Sequence, residues 1–207
     1  MPAEPKQQRA LKTRDDILRG AALAFEDFGY KGASMREIAA RSGVTLGAVY
    51  FHFAGKQELA RAVILAQPDV MVPKLQSAGI QRLVDLTLVW AHEINANPVM
   101  RAAVRLAVEQ QAHGIEEDTS FQEWEVLFRK WLEEARDEGE LAPGASTGAV
   151  AEFMVGAMTG MQHHARLTGK INTLGDRVVR MWQLLLPGLT TPDVAARLDL
   201  DPRRGAA

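Results

Sequence analysis

Residues 34–59, SMREIAARSGVTLGAVYFHFAGKQEL, decide the fold and most of the functional reading. Ser34-x-x-Glu37 is the pattern of a capping box, in which the serine oxygen takes an orphan N–H and the glutamate reaches back to the cap. Met35, Ile38 and Ala39 then follow at helical spacing. Gly43 suits a left-handed turn position, which a Cβ would penalise. Val44 can plug the corner and Thr45 can cap a second helix. There Leu46, Val49 and Phe53 repeat at i, i+3 and i+7, one buried face. Thr45, Gly47, Ala48, Tyr50 and His52 are left for the outer side.

Two short helices joined by a glycine turn serve an ordinary helical hairpin or a DNA-reading helix-turn-helix. In the latter the second helix enters the major groove N-terminus first. Gly47 would let the backbone approach DNA. Tyr50 and His52 can donate to phosphate oxygens, and Lys56 can do so with charge. Lys12, Arg14, Ser34, Arg36, Thr45 and Leu46 complete the expected DNA-contacting set.

The string GVTLGAVYFHFAGKQEL resembles the helix-turn-helix of the TetR family of transcriptional repressors. The family pattern falls on Gly43, Val44, Gly47, Tyr50, Phe53, Lys56 and Leu59. Thr13, Ile17, Ala21, Ala22, Phe25, Gly29 and Tyr30 match its first helix, and Ile38 and Ala39 its second. The resemblance implies a DNA-binding domain over 1–55 and a ligand-binding and dimerisation domain over 56–207. It also implies that a linker helix over 56–67 relays ligand binding to the head.

Composition is compatible with this. The chain has 207 residues, 47% of them apolar, and no cysteine. Disulfides and thiolate metal sites are therefore excluded, and a reducing cytoplasm is the expected location. No apolar run is long enough to predict a membrane span, and MPAEPKQQRALKTRDD lacks the apolar stretch of a secretory signal. The net charge of −2 argues against nucleic acid until its distribution is considered. Residues 1–56 hold nine Lys and Arg against six acids, an excess of +3, so the basic charge sits with the helix-turn-helix.

The rest of the chain reads as helix, with Pro68 and Pro73 breaking one segment and Asn97-Pro98 opening another. Gly114 is expected to stop that helix. Ser120-x-x-Glu123 is a second capping box, Ser146 or Thr147 opens a further helix, Pro187-Gly188 ends the next, and Thr191-Pro192 caps a last short one. The predicted fold is all-α: a three-helix head plus a larger helical body, about nine or ten helices in total.

Phe153, Met154, Ala157 and Met161 on one helix, and Val178, Trp182 and Leu185 on the next, form apolar faces. Such stripes fit a monomer core or an interface equally. TetR repressors dimerise through their last two long helices, so the resemblance implies a homodimer, which reading two half-sites also requires. Val104-Arg105-Leu106, Phe121-x-x-Trp124, Gly139-Glu140-Leu141 and Gly160-Met161-Gln162 further resemble the γ-butyrolactone autoregulator receptors within that family. In that subgroup a tryptophan at the Phe-x-x-Trp position packs on a lactone, furan or butenolide signal. The resemblance thus implies Trp124 as a pocket residue, with Thr159, Gln162, Gln67, Val155 and Leu88 beside it. One position departs: the subgroup has Lys where this chain has Leu46.

No cofactor and no metal are expected. His163-His164 are adjacent and point about 100° apart on a helix, unlike the i, i+4 pair of a zinc-binding helix. Neither a phosphate loop nor a nucleophile elbow is present, so the expected class is a regulator and not an enzyme. Its expected partners are an operator duplex, a small-molecule signal and a second copy of the chain.

Overall fold

A computed structural model describes residues 6–109 and 119–206. The expected stop at Gly114 lies outside them. Among the described residues the α-helices are α1 (Lys6–Gly32), α2 (Met35–Ser42), α3 (Leu46–His52), α4 (Lys56–Leu65), α5 (Gln67–Met71), α6 (Gly79–Ala96), α7 (Pro98–Glu109), α8 (Thr119–Asp137), α9 (Thr147–Leu167), α10 (Leu174–Leu189) and α11 (Pro192–Arg197). The fold is all-α, as predicted. These elements accommodate the nine or ten helices expected, and the single turn α5 is added where the sequence predicts a break at Pro68.

Some ends differ from expectation for local reasons. Gly29 takes φ 67 and ψ 175, breaking α1 as expected, but one more turn follows it. Pro187 lies inside α10, which continues to Leu189. A proline in a last turn removes one N–H donor without preventing the final residues from staying helical. Ser120 lies within the first turn of α8 and is buried, not ahead of the helix.

Two compact units emerge. The first comprises residues 6–69 and 97–109 of those described, the second residues 70–96 and 119–206. α4, which begins at the expected boundary 55/56, packs on both α1 and α7.

In the first unit α1 packs on α2, α4 and α7 around Ile17, Phe25, Ile38, Val49, Leu59 and Ile64, all at most 1% exposed. Gly20 is where α1 approaches α2: a Cβ there would overlap Ser42. Arg101 of α7 grips Glu26 of α1 with two bonds, Nε to Oε1 at 2.6 Å and Nη2 to Oε2 at 3.2 Å. Arg105 adds a bond to the Glu26 carbonyl at 3.1 Å.

In the second unit α6 is the central helix, buried continuously from Leu83 to Ala91 and packed on α8, α10 and a C-terminal 3-10 turn, Pro202–Ala206. Trp182 of α10 is wholly buried, and its indole N–H donates to Thr87 Oγ1 at 2.8 Å. Gly139-Glu140-Leu141 proves to be a joint. The Glu140 carboxylate accepts from Ile80 N at the start of α6 (2.7 Å) and from Arg197 (2.7 Å), while its carbonyl accepts from Thr191 N (3.1 Å). An orphan N–H at a helix start is thereby satisfied by a carboxylate, which the helix dipole favours.

Candidate DNA-reading surface and ligand site

The turn between α2 and α3 is built as its sequence dictates. Ser34 Oγ accepts from Glu37 N at 3.1 Å and opens α2. The Glu37 carboxylate accepts from Arg41 Nε at 2.7 Å, one turn on. Gly43 takes φ 67 and ψ 23, and Val44 N returns to the Ala39 carbonyl at 3.2 Å, closing the helix end. Thr45 Oγ1 accepts from Ala48 N at 3.1 Å and opens α3. Val49 and Phe53 are buried beneath α3, and Leu46 is half-buried.

The expected DNA-contacting side chains sort into three groups. Lys12, Arg14, Arg36 and Tyr50 are exposed. The Arg14 guanidinium lies 5.3 Å from the Phe53 ring centroid, which restrains it beside α3. Ser34, Thr45 and Gly47 are exposed, with both hydroxyl oxygens engaged as caps. His52 is half-buried and meets Phe51 edge-on at 5.2 Å.

Lys56 is held within the head. Its ammonium donates to the carbonyls of Lys31 (3.3 Å) and Ala33 (3.0 Å) and lies 4.7 Å from the Tyr30 ring centroid. Two of its three hydrogens thus fasten the start of α4 to the α1–α2 connection. Arg41 is likewise held, with Nε on Glu37 and Nη1 on Asp27 at 2.7 Å each, and these bonds raise its pKa above the ordinary guanidinium value. Phe51, outside the expected DNA-contacting set, is 83% exposed on α3. Five residues on from Leu46, its position about 140° around the helix is readable from helical spacing alone.

The expected ligand residues fall mainly in the second unit. Trp124 is half-buried on α8, its ring 5.9 Å from that of Phe128. Leu88 of α6 and Val155 of α9 are buried. Thr159 Oγ1 donates to the Val155 carbonyl at 2.8 Å, leaving its oxygen as an acceptor. Gln162 is 4% exposed, and its Oε1 is the one buried side-chain polar atom among the described residues without a hydrogen-bond partner. Such an atom is costly unless something supplies a donor. Gln67 belongs to the first unit, where its amide donates to the Ile64 carbonyl at 3.0 Å.

The expected interface residues divide as well. Met154, Val178 and Trp182 are wholly buried within the protomer. Phe153 is 53% exposed, and Ala157, Met161 and Leu185 are partly exposed. Leu184, not predicted, is 83% exposed. A depression of about 410 Å³ between α9 and α10 is lined by Val150, Phe153, Leu184, Leu185 and Leu189, among others.

A capped helix-turn-helix with an open reading helix, in a fold that is all-α among the described residues, defines a DNA-binding regulator. Residues 17–63 match bacterial regulatory proteins of the tetR family, and residues 77–191 match the tetracyclin repressor-like C-terminal domain. The chain belongs to the TetR family. It is 31% identical over 198 residues to the A-factor receptor protein of Streptomyces griseus, covering 96% of this chain and 71% of that one. The crystal structure of TylP, a TetR regulator from Streptomyces fradiae, superposes with a TM-score of 0.87 at 35% identity, covering 98% and 90% of the two chains. A γ-butyrolactone receptor described as ArpA-like superposes at 0.71 with 28% identity, covering 96% and 98%. Among the described residues no helix is long and apolar enough to cross a membrane.

Proposed function

We propose that the protein is a homodimeric transcriptional repressor that binds a pseudo-palindromic operator in the cytoplasm and releases it on binding a small oxygenated signal of the γ-butyrolactone, furan or butenolide class. The observation that carries the DNA reading is the exposed face of α3 behind its Thr45 cap. Lys12, Arg14, Arg36, Tyr50 and His52 supply phosphate donors around it, and two heads per operator double those contacts. The exposed apolar side chains of α9 and α10, Phe153 and Leu184, support pairing of two copies through these helices.

Support for the ligand class comes from kinship to the A-factor receptor and to the γ-butyrolactone receptor, and from the polar groups of α9, the helix that packs on the Trp124-bearing α8. Gln162 Oε1 and Thr159 Oγ1 are both acceptors, which a hydroxyl donor on such a ligand would complement. Release requires that this ligand prefer the conformation with low operator affinity. The test is a gel shift on the duplex that the protein selects, titrated with γ-butyrolactones, furans and butenolides. The wild type is expected to release DNA at a concentration to which Trp124→Ala is blind. Equal release from both proteins removes Trp124 from the site.

A further inference from the structure

The composition of α3 says how it distinguishes bases. Residues 45–52, Thr-Leu-Gly-Ala-Val-Tyr-Phe-His, contain no Arg, Lys, Asn, Gln, Asp or Glu. Those side chains carry the bidentate and carboxylate contacts that separate guanine, adenine and cytosine on the major-groove edge. At about 100° per residue, Leu46, Tyr50, Gly47 and Phe51 follow one another within an arc of about 140°. Val49, fully buried, lies outside it. The open face therefore holds a glycine and a tyrosine flanked by two apolar side chains. Phe51 is 83% exposed, and the ring contact it makes is edge-on to His52. Leu46 is half-buried on the first turn, where the helix enters a groove.

A base edge in the major groove presents one apolar group, the 5-methyl of thymine. Covering an exposed phenyl ring and a leucine with such methyls removes apolar surface from water on both sides. We propose that this chain reads its operator half-site through thymine methyl groups, with Phe51 as the principal contact and Leu46 as the second. The proposal rests on α3 entering the major groove as set out above. Tyr50, His52 and the exposed cations of the head then hold the phosphates and carry no sequence choice of their own. Leu46 in place of a lysine exchanges a polar, guanine-directed or phosphate-directed contact for a thymine-directed one.

The test uses the full chain and a pseudo-palindromic duplex that it selects from a random library. Affinity is compared with that for the same duplex carrying deoxyuridine at every thymine, which removes the methyl and keeps base pairing. Binding is expected to weaken about tenfold or more, the equivalent of one to two methyl groups per half-site at about 0.8 kcal/mol each. Phe51→Ala is expected to bind the thymine duplex more weakly and to lose most of the discrimination, and Leu46→Ala to lose a smaller share. Equal binding of both duplexes by the wild type overturns methyl reading while leaving the DNA-binding role intact. Discrimination that survives in both variants also overturns it, since the methyls then act through duplex shape. Failure to select any duplex overturns the underlying DNA-binding reading instead.

Discussion

Arg204→Ala should destabilise the second unit through one carboxylate, Asp85, on the central helix α6. The guanidinium meets Asp85 with two parallel bonds, Nε to Oδ1 at 2.7 Å and Nη2 to Oδ2 at 2.8 Å, and its third arm reaches Asp199 at 3.1 Å. Ser77 Oγ at 2.6 Å and Gln81 Nε2 at 2.8 Å complete the shell of Asp85. The Asp85 side chain is 10% exposed and that of Arg204 34%. Breaking a fully buried pair costs about 3–5 kcal/mol, while an exposed pair contributes about 0.2–1 kcal/mol. Arg204 is screened on one side, and two donors stay on Asp85, so the expected loss is about 2 kcal/mol. For a unit of this size that is about 8 °C in Tm.

The pH dependence fixes the sign. Burial alone would push the Asp85 carboxyl up, but the bonds from Arg204, Ser77 and Gln81 outweigh it and hold the pKa below the ordinary aspartate value. A carboxylate depressed in the folded state contributes stability that is complete above its unfolded pKa, about 3.9, and is lost as pH falls through the lower folded value. In the variant burial loses its strongest opponent, and Asp85 takes up a proton more readily. The gap between wild type and variant should therefore be full at pH 7 and narrow below about pH 4. Urea unfolding followed by tryptophan fluorescence measures it, because Trp90, Trp124, Trp131 and Trp182 all lie in the second unit. A loss under about 0.5 kcal/mol at pH 7, as for an ordinary surface change, or a gap that widens toward pH 3, would refute this reasoning.

Three further outcomes are expected. Gly43→Ala meets no neighbour within 4 Å but forces a Cβ onto φ 67, so it should cost about 1–2 kcal/mol in the head, read by circular dichroism. Thr87→Val keeps shape yet strips the buried Trp182 indole of its acceptor, and chemical unfolding should show a loss of about 1–3 kcal/mol. Leu184→Glu changes a side chain 83% exposed in the protomer, so it should leave protomer stability unchanged while sedimentation shows self-association weakened by about a hundredfold, as for a charge buried unpaired at an interface.

The head was legible because its signals are local. Ser34, Gly43 and Thr45 each satisfy or release backbone groups within four residues, so sequence spacing alone locates α2, the turn and α3. The hold on Lys56 is not legible in the same way, because its partners, the Lys31 and Ala33 carbonyls, are more than twenty residues away and become neighbours only on folding. The same reason hid Glu140, whose carboxylate caps a helix sixty residues earlier, and the charges Asp85 and Glu93, which are buried in α6 against Arg204 and Lys74. Apolar periodicity located α9 and α10 but could not divide core from surface: Met154 and Trp182 turned inward and Leu184 outward. A family likeness points to Gln162, and only packing reveals that its carbonyl oxygen is buried without a donor.

The central claim is that α3 reads DNA, and fluorescence anisotropy with the selected duplex and a scrambled one tests it most directly. Tyr50 is 52% exposed, so Tyr50→Ala leaves the fold intact and isolates the contact. The account predicts two protomers per selected duplex, affinity falling steeply with salt, clear preference over the scrambled duplex, and loss of that binding in Tyr50→Ala. Equal affinity for both duplexes, or selected-site binding unchanged by Tyr50→Ala, would contradict it.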